Sequence, residues 1–191
     1  MRGNSREHPV FRLHRHQPDG FIARPDGNLD WLIGASDSTD DHGYADFMAG
    51  IDALVMGRNT FETALTFGEW PYPGCRVVVF SRTLTRQALP AALADAVELF
   101  SGSVAELAGY LERSGARSVY VDGGQLIQGF LRAGLIAEIT LTRIPVLLGS
   151  GIPLFGPVPQ DIHLEHVRTR TYESGFVQST YRVLGNPPAP A

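Results

Sequence analysis

Ser118-Val119-Tyr120-Val121-Asp122-Gly123-Gly124-Gln125-Leu126-Ile127-Gln128-Gly129-Phe130-Leu131 is the stretch on which the fold turns. Val119-Tyr120-Val121 is a run of the β-branched and aromatic residues that suit a buried pleat. Two glycines follow directly. Leu126, Ile127, Phe130 and Leu131 then recur at helical spacing. In a strand–Gly-Gly–helix unit the bare N–H groups of the helix N-terminus can face a phosphate, because glycine has no Cβ to hold the ligand away. The same pattern also serves as a plain tight turn in any α/β protein, and a Gly pair is less specific than a full dinucleotide fingerprint.

Two more junctions of this kind lie upstream. Asp52-Ala53-Leu54-Val55-Met56 reads as a buried strand that passes through Gly57-Arg58-Asn59-Thr60 into a helix carrying Phe61, Ala64 and Leu65. Arg76-Val77-Val78-Val79-Phe80 is a continuous apolar run, as in a parallel sheet covered on both faces, and ends in Ser81-Arg82-Thr83. An arginine at such a junction offers a fork of donors to a phosphate. Ligands of open α/β sheets bind outside the carboxyl ends of the strands. All three junctions fall at such ends, and together they predict a phosphate-rich ligand.

The remaining pattern fits the same class. Val97-Glu98-Leu99-Phe100 reads as a strand. Ser103-x-x-Glu106 is a capping box for a helix with Val104, Leu107, Ala108 and Leu111 on one face, stopped by Gly115. The acidic stretch 37–41 precedes a helix with Tyr44, Phe47, Met48 and Ile51 on one side, which suits its positive end. Residues 19–28 read as loop, short extended piece and turn, closed by Leu29-Asp30-Trp31-Leu32; residues 69–74 read as a rigid aromatic loop. Residues 139–148 read as a strand that bulges or lies at an edge because it contains Pro145. Residues 162–172 and 176–184 form a hairpin around Glu173-Ser174-Gly175, with Val177, Tyr181 and Val183 sharing a face. Val10, Phe11 and Leu13 suggest a short first strand. The class predicted is α/β: a central, mostly parallel sheet with helices on both faces and an antiparallel C-terminal hairpin. A single domain is expected over residues 10–185, with 1–9 and 186–191 as disordered tails.

Composition narrows the function. The 191 residues are 43% apolar and 19% charged with net charge −4, which fits a globular domain and gives no basic surface for nucleic acid. No stretch reaches the ~20 apolar residues of a membrane span, and residues 1–18 lack the apolar core of a secretory signal. The one cysteine, Cys75, suits a reducing cytoplasm and reads as a small filler. His14-x-His16 lacks a third ligand, and His163 and His166, three apart on an expected strand, point to opposite faces, so no metal is expected.

Several of these segments are also where the chain resembles a known family, the dihydrofolate reductase-like proteins that share the C-terminal reductase domain of the bifunctional riboflavin-biosynthesis deaminase–reductase. The resemblance rests on Asp19-Gly20-Phe21-Ile22-Ala23, Asp30-Trp31, Val55-Met56-Gly57-Arg58-Asn59-Thr60-Phe61-Glu62, Val78-Val79-Phe80-Ser81-Arg82, Val121-Asp122-Gly123-Gly124 and Pro145-Val146-Leu147-Leu148-Gly149-Ser150-Gly151-Ile152-Pro153-Leu154-Phe155. These cover roughly residues 19–184 in the family's order. The chain departs from its relatives just before, where His14-Arg15-His16-Gln17-Pro18 replaces an apolar strand and a Ser-Leu-like lead into Asp-Gly.

The resemblance implies an NADPH site. Gly57, Arg58, Asn59 and Thr60 would hold the adenosine side and pyrophosphate, and Ser81 and Arg82 the ribose 2′-phosphate. Asp122, Gly123, Gly124, Gln125, Leu126 and Ile127 would present the helix N-terminus to the pyrophosphate, and Ile22 and Ala23 would pack on the nicotinamide. It also implies hydride transfer to a small pteridine-, pyrimidine- or sugar-like substrate, held near Tyr44, Phe47, Met48, Trp70 and Tyr72. Asp19, Asp41 and Asp46 are the candidate proton donors; each also reads as a turn-former, cap or solvated side chain. The zinc deaminase motif of the bifunctional enzyme is missing from this chain. Two alternatives compete with the reductase: a non-catalytic NADP(H)-binding protein, and a homodimeric structural subunit joined through its C-terminal hairpin.

Overall fold

The apolar run 77–80 and its neighbours pair side by side, as residues without a polar face must when both sides of a sheet are covered. The computed structural model describes residues 10–12, 18–33 and 40–184. Five parallel strands, β1 (Val10–Arg12), β3 (Ala53–Gly57), β4 (Val77–Phe80), β5 (Val97–Phe100) and β6 (Ser118–Asp122), lie in the order β1-β6-β3-β4-β5. An antiparallel sheet of β7 (Glu138–Arg143), β10 (Val177–Val183) and β9 (Leu164–Thr171) follows in that order, with β7 lying against β1. β2 (Phe21–Ala23) pairs with β8 (Ile152–Pro153) as a small antiparallel ribbon. This is the mostly parallel sheet and antiparallel C-terminal hairpin expected from the pattern, and β1 puts the short first strand beside β6. Leu13 and the His14/His16 pair lie outside the described residues.

Strand alternation divides the core. Ala53, Val55, Val78, Val119 and Val121 face one layer with Leu107 and Leu111 of α4 (Val104–Arg113) and Leu126, Ile127, Phe130 and Leu131 of α5 (Gly124–Arg132). Leu54, Met56, Val77, Val79 and Tyr120 face the other, with Phe61 of α3 (Arg58–Ala64) and Phe47 and Met48 of α2 (Tyr44–Ala49). The capping box at Ser103 and Glu106 is formed on both sides. A third cluster gathers Trp31 of α1 (Asp30–Ile33) with Ile144 and Phe176. Among the described residues no helix is long and apolar enough to cross a membrane.

One local expectation needs correction, and two others gain detail. β7 stops at Arg143, and Val146 N–H donates to the Ile144 carbonyl at 2.7 Å, so residues 144–148 leave the sheet. Pro145 has no N–H for the ladder, and Ile144 finds its burial in the third cluster instead. Residues 30–33 form a helical turn, whose start is capped by Asn28 accepting from Asp30 N–H at 2.8 Å. In β10 the buried residues are Gln178, Ser179 and Thr180, while Val177, Tyr181 and Val183 are half-buried; the register shift at Thr180/Tyr181 leaves Val167 of β9 as the extra residue.

Candidate functional site

β6, β3 and β4 are neighbours and end together: Met56 lies opposite Asp122, and Gly57 opposite Phe80. Gly123, Gly57 and Ser81 therefore follow one another along a single sheet edge, spaced by roughly 5 Å per strand. The three sequence-predicted junctions converge.

The tightest approach is at Gly123. Its φ is +97°, a conformation left to glycine, and a Cβ there would stand 2.5 Å from Thr60 Oγ1 and 3.9 Å from Gly57 N. Asp122 Oδ1 accepts from Gly123 N–H at 2.8 Å. α5 starts at Gly124, so the N–H groups of Gly124, Gln125 and Leu126 precede any intrahelical acceptor. Ile127 N–H, in contrast, donates to the Gly123 carbonyl at 3.0 Å, and its side chain is 2% exposed. Ile127 is thus a core residue whose donor is spent, and Leu126 can offer only its backbone. A Cβ on Gly124 would meet Ile22 Cδ1 at 3.0 Å and the Pro153 carbonyl at 3.1 Å. Ile22 accordingly rests over the first turn of α5, whereas Ala23 is buried under Gly151.

The basic side of the edge is built from loops. Arg58 donates to Thr83 Oγ1 at 3.1 Å and faces Glu62 at 3.4 Å, which ties α3 to the loop after β4. Ser81 Oγ accepts from Thr83 and Leu84 N–H, a local turn that lifts Arg82 outward. Arg82 is exposed and has no acidic partner among the described residues. Asn59 is exposed and Thr60 half-buried.

The candidate substrate residues lie across the sheet from α5. Phe47 meets Tyr120 edge-on at 5.2 Å, and Trp70 bridges Phe61 at 5.9 Å and Tyr72 at 5.3 Å. Phe47, Met48, Trp70 and Tyr72 all lean on the second core layer, and Tyr44 is half-buried beside them.

Two of the three candidate proton donors are occupied with structural work. Asp19 Oδ2 accepts from Leu148 N–H at 2.8 Å and Gly149 N–H at 2.9 Å. The Gly149 bond, joined by that of Leu148, holds its carboxyl below the usual range despite desolvation. Asp41 accepts from Ala45 N–H at 2.7 Å and Gly43 N–H at 2.9 Å, and the Ala45 bond leads in lowering its pKa. Asp41 ties down the start of α2, whose N-cap is Gly43, and Asp19 is the latch of the 148–149 turn. Asp46 is exposed on α2 with no such engagement.

One group of residues gave no sequence signal. His42 is 7% exposed at φ +55°. Gln178 Nε2 donates to its carbonyl at 3.3 Å and to Thr142 Oγ1 at 3.1 Å, so a polar cluster is buried where β7 and β10 meet the start of α2. Among the described residues no group of three metal-ligating side chains gathers.

The chain matches the family described as the RibD C-terminal domain over residues 18–178. It is 32% identical over 183 residues to YyaP of Bacillus subtilis (strain 168), itself uncharacterized, across 87% of this chain and 90% of YyaP. Among solved structures, a protein of Shewanella sp. PV-4 provisionally named for riboflavin biosynthesis is similar at TM-score 0.85 and 35% identity, covering 93% of this chain and 99% of that one. Dihydrofolate reductase from Enterococcus faecalis, solved with NADP(H) and RAB-propyl, has a related fold at TM-score 0.61 and 18% identity, covering 91% of this chain and 96% of that one. A dihydrofolate reductase-like sheet and a match over most of its length both say that this chain belongs to the RibD C-terminal domain family.

Proposed function

We propose that the protein is an NADPH-dependent reductase of a small pteridine-, pyrimidine- or sugar-like substrate, of the kind that riboflavin biosynthesis uses. The observation that carries this reading is the convergence of Gly57, Arg82 and the Gly124–Gln125–Leu126 amides at one sheet edge. The residues fit the cofactor: three unspent N–H groups at a helix N-terminus suit a pyrophosphate, and unpaired Arg82 suits an additional phosphate. NADPH, when bound, supplies the hydride. The protein's share is to hold the pyrophosphate on α5, to fix the nicotinamide end against Ile22, and to present the substrate side through α2. Asp19 and Asp41 are engaged by backbone N–H groups, and exposed Asp46 on α2 is the remaining candidate to relay a proton through water.

Titration of nicotinamide fluorescence with NADPH and NADH tests the reading. It expects NADPH to bind more tightly than NADH, with the preference reduced in Arg82→Ala. No binding of either overturns it. The engagement of Asp19 and Asp41 favours a second reading, cofactor binding without turnover. NADPH binding with no oxidation across 5-amino-6-(5-phosphoribosylamino)uracil and dihydrofolate would select it. We also propose that a second copy docks on β9, all eight residues of which are exposed along an unpaired edge.

A further inference from the structure

α2 is a short helix with no buried residue. Six residues do not make a helix that is stable alone, and the hold of this one on the core is shallow: Phe47 and Met48 rest on the second layer only half-buried. A further contact helps to fix it, which matters because it carries the Tyr44, Phe47 and Met48 side chains of the candidate substrate wall. The residue two before its first turn makes that contact. His42 adopts φ +55°, and among the described residues no other non-glycine residue has positive φ. Bulky side chains persist there only where the surroundings hold them, and such positions gather at functional sites.

The surroundings of His42 come from the far turn of the β9–β10 hairpin. Its Nε2 lies 2.8 Å from Ser174 Oγ. Its ring stacks on Phe176, with centroids 4.2 Å apart and planes 19° apart, and meets Tyr172 edge-on at 5.0 Å. Its carbonyl accepts from the Tyr172 hydroxyl at 2.9 Å and from Gln178 Nε2 at 3.3 Å. Its N–H donates to Asp40 Oδ1 at 2.8 Å. Ring, carbonyl and amide are thus all engaged, and the ring and carbonyl by one hairpin.

We infer that His42 is a positioning residue: it bolts the start of α2 to the β9–β10 turn, so that this turn sets the placement of the substrate wall independently of the cofactor edge. The inference rests on the proposed cleft for its functional meaning, but its mechanical part stands apart from it. α2 and α5 lie on opposite layers, so loosening His42 acts on the substrate side and leaves the Gly123–Leu126 side untouched.

Millisecond hydrogen–deuterium exchange on the full chain tests it, in wild type, His42→Ala, Ser174→Ala and the double variant. The expected result is exchange at residues 44–49 at least about 10-fold faster in His42→Ala, with residues 127–132 of α5 unchanged. The double variant should add little, since both changes release one bolt. His42→Asn, which tolerates positive φ and keeps a polar head, should restore part of the protection. NADPH affinity should stay within about 2-fold of wild type, while KM for the substrate found in the turnover screen rises with kcat little altered. Unchanged exchange at 44–49, or equal acceleration in α2 and α5, overturns the inference. Failure of wild type to bind NADPH would instead remove the reductase reading, and the exchange comparison would still decide on the bolt.

Discussion

Gly123→Ala puts the geometry of the cofactor edge under the most direct load. At φ +97° an alanine is strained by about 1–3 kcal/mol. Its Cβ would also stand 2.5 Å from Thr60 Oγ1, so Thr60 must leave its rotamer at a further cost of about 0.5–1.5 kcal/mol. The expected loss of stability is about 2–4 kcal/mol. Gly115→Ala supplies the control: its φ is +85°, but nothing lies within 4 Å of the added Cβ. That change should cost only the strain of a left-handed residue, about 1–2 kcal/mol. Urea denaturation of both variants measures the difference, and NADPH titration measures its consequence. Gly123→Ala should weaken NADPH at least about 10-fold, or 1.4 kcal/mol, because the first N–H groups of α5 shift with it. Gly115→Ala should leave affinity unchanged. Equal destabilisation of the two variants together with wild-type affinity in Gly123→Ala would refute the argument that the Gly123–Thr60 contact shapes the cleft.

Arg82→Ala should weaken NADPH by about 10-fold, as the loss of one charge-assisted contact would, and leave NADH nearly unaffected; the ratio of the two dissociation constants is the readout. Asp52 accepts from the N–H groups of Arg117 and Ser118, both at 2.8 Å, with the Ser118 bond foremost in lowering its pKa. A lowered folded-state pKa means stabilisation that is present above the ordinary value near 4 and lost as pH falls through the folded one. Asp52→Asn should therefore cost roughly 1 kcal/mol at pH 7, since the site is exposed, and the gap in urea midpoints should close below pH 4. Phe130→Ala should cost about 3–5 kcal/mol, because its ring is fully buried between α5 and the sheet; a drop below 1 kcal/mol would contradict the packing. Val167→Glu on the exposed β9 edge should turn the proposed dimer into monomer by light scattering while the far-ultraviolet circular dichroism stays that of wild type.

The sheet edge at Gly57, Ser81 and Gly123 was legible because it is local. Strand, glycine and helix follow one another within a few residues at positions 57, 81 and 123, and parallel pairing brings the three together. The helical stripe of α5 was also legible, but it hid a detail: the same apolar spacing that marks Ile127 as helical turns its side chain into the core. The aspartates were legible as turn and cap residues, but not their partners. Asp and Asn accept from backbone N–H groups wherever a turn or cap presents them, and sequence does not show that the donors for Asp19 lie at 148 and 149. His42 was not legible at all. Its partner Ser174 is 132 residues away, and neither residue belongs to a periodic pattern. The end of β7 at Arg143 depended likewise on a distant competitor, the burial of Ile144 beside Trp31 and Phe176.

Gly151 has a consequence for how this protein tolerates change. A Cβ there would lie 2.2 Å from the Ala23 carbonyl, closer than any of the described contacts at Gly123 or Gly124. The three glycines mark a seam along which β2, the 149–153 segment, α5 and α3 touch main chain to main chain or nearly so. None of them has chemistry to offer, yet an added Cβ at each would stand within 3.0 Å of a neighbouring atom. Arg82, which has chemistry, stands in open solvent with room to vary. A library sorted for soluble protein would therefore lose variants at the mute seam and keep almost any residue at 82. Substitution at that one exposed position would change the charge at the sheet edge while the floor beneath it stays fixed.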